Sequence, residues 1–429
     1  MFQQNGLSLD QAPPITVVFR FFFAASLFGI LAGILILFYG GSIFDASSTA
    51  AITLTHTLTL GVMASFMLGA LFQMLPVIAG VVIVAPMQKS WWIQVPLILG
   101  TITLLFAFNL PQLHRLYWLA ALLLGTSLLS IAGIMLKNLS KIAYHTPSSK
   151  GMMLALLSFA LLIVLALYLT FSLGGLTEGV YYVEIKGAHY TFGLLGWIAL
   201  LIISISFQVI EMFYVTPPYP KPITKYLLIA ILMLLIIKTA LSFFTPALTL
   251  PISILLALIF IGFAALTLYR LTQRKRPLAD ATIWFWRMGM TSLILSMLFW
   301  LLSMALPQNE LKALSYITFA SFALSVVFAM FYKIVPFLTW FHLNAQGYFT
   351  APMMHEVIHP KTAKKHFWIH LAAIMLLLLS LFAEKLIYLA GALTILSFGW
   401  VAWQIAHAHL LYKKTEETGE KFDMSMGAG

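Results

Sequence analysis

The chain has 429 residues, of which 62% are hydrophobic, 14% aromatic and only 9% charged. A soluble domain carries roughly 25% charged residues, so this composition excludes a soluble globular protein and a disordered chain and indicates a polytopic membrane protein. The net charge of +11 comes from basic residues too sparse to form a phosphate-tracking surface, which excludes a nucleic-acid-binding domain. No cysteine is present, so the 11 histidines are the main metal-capable side chains.

Twelve stretches of the chain are apolar and long enough to cross a membrane, which takes about 20 residues in a helix. In chain order they lie near 16–38, 52–78, 91–109, 116–136, 151–174, 188–213, 225–244, 250–270, 282–305, 312–341, 367–383 and 387–411. The connectors are rich in Pro, Gly, Lys and Asn, which is typical of turns at the membrane interface. We therefore predict an all-α integral membrane protein with one polytopic domain over 1–429.

Basic residues are distributed unequally between the two sets of connectors. One set, together with the C-terminal tail, holds 16 Lys and Arg residues, among them Arg276. The opposite set holds four: Arg115, Lys186, Lys312 and Lys385. Because cytoplasmic loops carry the excess of Lys and Arg, the pattern predicts a multi-pass membrane protein with both termini cytoplasmic. The first 14 residues contain no Lys or Arg, so we expect no cleavable signal peptide.

Predicted spans 2, 6 and 10 end in similar sequences, LFQMLP, SFQVIE and FYKIVP. The alignment superposes an aromatic residue in each: Phe72, Phe207 and Tyr332. The next position is polar in each: Gln73, Gln208 and Lys333. The offsets of 135 and 125 residues correspond to four spans. We therefore predict three pseudo-equivalent four-helix arcs, approximately 16–136, 151–270 and 282–411, related by a pseudo-threefold axis.

Ionisable residues within a span are functional candidates. Glu211 and Lys333 lie near the cytoplasmic ends of predicted spans 6 and 10, where they would join Gln73 and Gln208 in one polar cluster. The functional interpretation is a path for protons or a substrate, to which Tyr316 at the other end of span 10 would also belong. The structural alternatives are a Glu211–Lys333 ion pair that fixes arc packing, or side chains that reach out to the interface.

The plan of twelve helices in three arcs, together with these helix endings, resembles subunit I of the heme–copper oxidase superfamily, in particular its cbb3-type catalytic subunit and the NnrS-like membrane proteins. In that family the second, sixth and tenth helices carry histidines to hemes and copper near the periplasmic side. His56 opens span 2 and His189 opens span 6. The resemblance therefore implies a b-type heme bound by His56 and a copper ion, or another metal, bound by His189.

The tenth span departs from the family pattern. The family's paired histidines would fall at Leu314 and Tyr316, so an intact oxygen-reducing centre is not expected. The resemblance implies a role in respiration, nitric-oxide response or oxidase maturation, with membrane lipids and partner subunits of a respiratory complex as neighbours, and no nucleic acid. A transporter or channel with a path between the arcs, and an assembly subunit without a cofactor, stay open as alternatives, and so does the question of enzymatic activity.

A second group of histidines follows span 10: His342, His355, His359, His366, His370, His407 and His409. His366 and His370 are four residues apart and so share one helix face. They suggest a zinc or copper site, although neutral histidines at the interface are the simpler interpretation. The string from His355 to His359 matches the H-E-x-x-H of zinc proteases. It lies between Pro352 and Pro360, so we expect at most a short interfacial helix and no proteolysis.

Overall fold

The computed structural model of the protein describes residues 13–275, 280–306 and 308–421. Within these ranges twelve helices are long and apolar enough to cross a membrane, and no strand is formed, which confirms the predicted all-α membrane fold. Span 1 covers Ile15–Phe44, span 2 Thr49–Ala79, span 3 Pro86–Asn109, span 4 Arg115–Leu139, span 5 Pro147–Leu173, span 6 Tyr182–Tyr214, span 7 Lys221–Phe244, span 8 Pro246–Thr272, span 9 Ala281–Ala305, span 10 Asn309–Ala345, span 11 Pro360–Leu379 and span 12 Leu386–Thr418. Arg276 and the two chain ends, 1–12 and 422–429, lie outside the described residues.

We name the two ends of the bundle by the chain. Span 1 begins at the terminal face and ends at the distal face, and because the number of spans is even, span 12 ends at the terminal face again.

Side chains cap several of these helices. Ser48 accepts a hydrogen bond from the backbone N–H of Ala51 at the distal start of span 2, and Thr146 accepts one from Ser149 at the terminal start of span 5.

Span 1 packs along span 12, so the first and last helices close the bundle into a ring. Small residues permit the close approach of the two backbones. Gly29 and Gly33 lie four residues apart in span 1, and a Cβ atom built on Gly33 would lie 2.9 Å from the Gly391 carbonyl oxygen of span 12. Such small residues at one-turn spacing are the usual means of tight helix packing in membranes.

Spans 2, 6 and 10 are the helices most enclosed by protein. In the most apolar 18-residue window of each, 78%, 78% and 67% of residues are buried, whereas the next value is 56%, for span 1. The enclosed helix therefore recurs every fourth span, at the second position of each predicted arc. The helices that face lipid surround these three.

Spans 2 and 6 share an irregular backbone. Each contains an eight-residue π-helical segment, Thr57–Ala64 and Phe192–Ala199, followed by a 15-residue α-helix, Ser65–Ala79 and Leu200–Tyr214. Every boundary differs by 135 residues, the offset obtained by aligning Phe72 with Phe207. The residue after each helix is also equivalent, because Gly80 and Val215 both have left-handed backbone angles, with φ of 65° and 52°.

These matched boundaries confirm the predicted repeat for the first two arcs. Span 10 departs from it in two ways. It is α-helical throughout, from Asn309 to Ala345, and it continues six residues beyond Thr339, the position equivalent to Ala79 and Tyr214. The third arc therefore keeps the enclosed position of its second helix but not the π-helical segment.

Candidate metal site at the distal ends of spans 2 and 6

The two histidines that the sequence singled out lie at matched depths. His56 and His189 are each the eighth residue of their span, counted from Thr49 and from Tyr182. Seven residues of helix correspond to about 10 Å, so both rings lie well inside the distal face. The π-helical segments begin directly after His56 and three residues after His189, and π-helical turns often occur at functional sites.

The structure brings the two imidazole rings together. Their centroids are 6.2 Å apart, and the ring planes differ by only 12°. Both residues are half-buried, and the ring of Phe108 in span 3 lies 5.0 Å from that of His56. Span 3 is also fixed to span 2 by the Asn109 side chain, which donates a hydrogen bond of 3.0 Å to the Thr53 hydroxyl.

One nitrogen on each ring has no hydrogen-bond partner in the part of the chain that the structure describes. Nδ1 of His56 lies 2.9 Å from the backbone carbonyl oxygen of Ile52. Because a carbonyl can only accept, Nδ1 carries the proton and Nε2 keeps a free lone pair. Nδ1 of His189 is buried and has no hydrogen-bond partner among the described residues. Metal-bound histidines usually donate their other N–H to such a carbonyl, which fixes the ring and its tautomer.

The dimensions of the pair suit a single metal centre. A metal ion lies about 2.0–2.1 Å from a ligating histidine nitrogen, so one ion fits between rings whose centroids are 6.2 Å apart. No group of three or more His, Asp or Glu side chains that could hold an ion occurs in the described part of the chain. The site thus offers two protein donors. His56 and His189 would hold such an ion, and histidine nitrogen is a common ligand of heme iron and of copper.

Tyr316 occupies the position of span 10 that is equivalent to His56 in span 2. It lines a cavity of about 280 Å³ between span 6 and spans 9 and 10. Tyr190, the residue after His189, lines the same cavity. The third arc therefore contributes a tyrosine to a cavity that also contains the chain neighbour of His189.

The predicted polar cluster at the terminal ends of spans 2, 6 and 10 forms only in part. Gln73 is buried, and neither atom of its amide has a hydrogen-bond partner in the ranges described. Gln208 is half-buried, whereas Glu211 is exposed. The expectation that Glu211 pairs with Lys333 is wrong, because the Lys333 ammonium lies 2.6 Å from the Asp280 carboxylate instead.

Asp280, the partner of Lys333, lies in the connector directly before span 9 and so outside the membrane-spanning helices. Its carboxylate caps span 9 by accepting from the backbone N–H groups of Thr282 and Ile283, and it accepts the Thr282 hydroxyl as well. The hydroxyl of Tyr214, the last residue of span 6, donates to the same Thr282 oxygen at 2.8 Å. Burial by itself would raise the pKa of Asp280, but the Lys333 ammonium and these donors outweigh burial and hold the pKa below its usual range.

The histidines of the last arc do not form a metal group among the described residues. His366 and His370 are buried rather than interfacial, with exposures of 0% and 3%. Their Nε2 atoms lie within hydrogen-bond distance of serine hydroxyls, at 2.8 Å for His366 and Ser397 and 3.1 Å for His370 and Ser325. Span 12 therefore meets span 11 as predicted, but it presents Ser397, and His407 is exposed.

The protease-like string is not on one helix face. A short helix covers Met354–Val357 and ends before His359, whose side chain caps the start of span 11. The expectation of at most a short helix is confirmed.

Sequence reasoning missed Asp280 and the cavity. Asp280 immediately precedes an apolar stretch, which is a signal for a helix N-cap. Its pairing with Lys333 depends on how span 9 packs against span 10, and no local pattern specifies that packing. The cavity likewise depends on a gap between arcs.

A scan against protein-family models found no match for this chain. A search of curated proteins found no significantly similar sequence.

Proposed function

We propose that this multi-pass membrane protein binds a redox-active metal centre, a b-type heme or a copper ion, between His56 and His189. The observation that carries the proposal is the geometry of the pair. The ring centroids are 6.2 Å apart, Nδ1 of His189 has no partner in the described chain, and the contact of His56 Nδ1 with the Ile52 carbonyl leaves His56 Nε2 as a lone-pair donor. The two histidines also come from equivalent elements of the first two arcs.

We further propose that the protein is a divergent member of the heme–copper oxidase superfamily in a bacterial inner membrane. The recurrence of an enclosed helix every fourth span supports this proposal. The distribution of Lys and Arg supports a cytoplasmic terminal face, so the centre would lie near the periplasmic side. Because span 10 has Tyr316 where the family has histidine, the proposed role is respiration, nitric-oxide response or oxidase maturation without oxygen reduction.

The chain's own residues would prepare the site as follows. The Ile52 carbonyl orients the His56 ring and directs Nε2 away from its own helix. The π-helical segments set the rotation of each histidine relative to the rest of its span. Phe108 covers one side of the His56 ring and limits the access of water. The metal, when bound, would supply one-electron chemistry.

The test is an absorption spectrum and a metal analysis of the purified protein. We expect a Soret band with iron, or else bound copper, and we expect either signal to be lost in His56→Ala and in His189→Ala. His407→Ala serves as the matched control, because His407 is an exposed histidine of a different arc. A wild-type preparation without iron or copper would overturn the proposal, as would equal loss of the signal in His407→Ala.

A further inference from the structure

A cavity of about 280 Å³ opens between the second and third arcs. Span 6 forms one wall, with Tyr190 and Leu194, and spans 9 and 10 form the other, with Met297 and Phe319. Tyr190 and Tyr316 are 43% and 45% exposed, so the cavity communicates with its surroundings. The volume is close to the range of pockets that hold small ligands.

On the walls formed by spans 6 and 10, the lining changes from polar to apolar with depth. Lys312 and Tyr316 lie in the first two turns of span 10, near the distal face, whereas Phe319 lies seven residues beyond Lys312, or about 10 Å deeper. On span 6, Tyr190 and Thr191 lie nearer the distal end, whereas Leu194 and Leu195 lie about one turn deeper. The wall formed by span 9 mixes serines with apolar side chains at all depths. A molecule that matches this gradient has a polar head at the distal face and an apolar body that points toward the membrane centre.

The head of such a molecule would meet a positive charge. Lys312 is the one charged residue that lines the cavity, and it takes part in no ion pair within the described ranges. No carboxylate lines the cavity to neutralise it. The tyrosine hydroxyls of Tyr190 and Tyr316 can donate hydrogen bonds beside the ammonium, and charge-assisted hydrogen bonds are the stronger kind.

We propose that this cavity binds an anionic amphiphile from the distal leaflet, a carboxylate or phosphate head on an acyl chain. Lys312 and Tyr316 hold the head, and Met297, Leu194 and Phe319 enclose the first part of the chain. The orientation of the ligand is that of a lipid in the adjacent leaflet, so the remainder of the acyl chain extends into the bilayer. This site is distinct from the histidine pair and does not require a metal there.

The experiment is native mass spectrometry of the whole protein in a neutral detergent, with oleate, oleyl alcohol and dioleoylphosphatidylglycerol as separate probes. We expect one retained oleate or phosphatidylglycerol, and weaker retention of the uncharged alcohol. Lys312→Met should weaken binding of the anion about tenfold, the value of one charge-assisted hydrogen bond. Met297→Trp should abolish binding by filling the cavity. Lys385→Met is the matched control, because Lys385 is another exposed lysine at the distal face that does not line the cavity.

The identity of the retained anion distinguishes a free fatty acid from a phospholipid as the source. Equal retention of oleyl alcohol and oleate would overturn the proposal, as would retention that is unchanged in both Lys312→Met and Met297→Trp. An unchanged elution volume in size-exclusion chromatography establishes that each variant is folded.

Discussion

Lys333 lies within a membrane-spanning helix, and its charge is balanced by a residue that lies outside one. The Lys333 side chain is 19% exposed and the Asp280 side chain 40% exposed. A buried ammonium without a partner is costly, and Asp280 removes that cost while also capping span 9. One side chain therefore links the start of span 9, the terminal part of span 10 and, through Thr282, the end of span 6.

The stability that Asp280 contributes should depend on pH. Its pKa in the folded protein is below the ordinary value of about 4, so the contribution is present above about pH 4 and is lost as the pH falls through the lowered pKa. We expect Asp280→Asn to lower the melting temperature at pH 7, and we expect the difference from wild type to shrink below pH 4.

Thermal unfolding followed by tryptophan fluorescence at a series of pH values would measure this difference. Glu211→Gln is the control, because Glu211 is exposed and Lys333 pairs elsewhere. A difference between wild type and Asp280→Asn that stays constant from pH 7 to pH 3 would contradict the linkage.

The sequence singled out His56 and His189 because each opens an enclosed span and matches a histidine position of the family that the chain resembles. It did not predict that Asp280 is the partner of Lys333. Ionisable residues inside spans attract attention because they are rare there, whereas an aspartate in a connector is common. The partner of Lys333 is decided by side-chain reach across two packed helices.

At the scale of the helix, the π-helical segments set the rotation of the two histidines. A π-helical turn accommodates an additional residue relative to an α-helix. In span 2 this segment contains Gly61, where a Cβ atom would contact the ring of Phe28 in span 1. No composition or periodicity in the segment TLTLGVMA distinguishes it from ordinary α-helix, so hydropathy predicted the span and missed its irregularity.

Deletion of Leu60, which lies in this segment, should convert a π-helical turn to an α-helical one. A π-helical turn contains more residues than an α-helical turn, so the conversion changes the twist between His56 and the rest of span 2. We expect loss of the heme or copper signal with the folded yield preserved, since the α-helix is the more favourable conformation. Metal content and size-exclusion profile are the measurements.

A deletion in a regular helix provides the control. Ile102 lies in span 3, which is α-helical throughout and carries no predicted ligand. Its deletion removes a residue that the helix needs, so the folded yield should fall. If deletion of Leu60 reduces the yield as much as deletion of Ile102, the π-helical segment is needed for folding rather than for orienting His56.

For the whole molecule, hydropathy predicted the number of spans because each helix must satisfy its own backbone in the bilayer. It could not predict that span 1 packs on span 12, since contacts between distant helices depend on surface shape. We call the contact between spans 1 and 12 the seam. Its glycines are visible in the sequence, but glycine also occurs at positions that contact no other helix. Gly133 in span 4, for example, has open space where its Cβ would be.

This contrast yields a matched pair of variants. Gly33→Leu places a large side chain against the Gly391 carbonyl, and overpacking of this kind costs about 1–3 kcal/mol or more. We expect it to lower the free energy of unfolding in mixed detergent by about that amount, whereas Gly133→Leu leaves it nearly unchanged. If the two variants are equally stable, the seam between spans 1 and 12 does not contribute to stability.

Because spans 1 and 12 pack together, the three arcs could follow one another in a different order along the chain and still form the same molecule. Near the terminal face the ring of Phe19 in span 1 lies 6.4 Å from that of His409 in span 12. A linker that joins the chain ends, with new ends opened in the connector 140–146, would preserve the direction of every helix. The circularly permuted protein has the arcs in the order second, third, first, and it should insert into the membrane with the same topology. Its spans 12 and 1 are then joined covalently, whereas in the natural chain they are held together by packing at glycines.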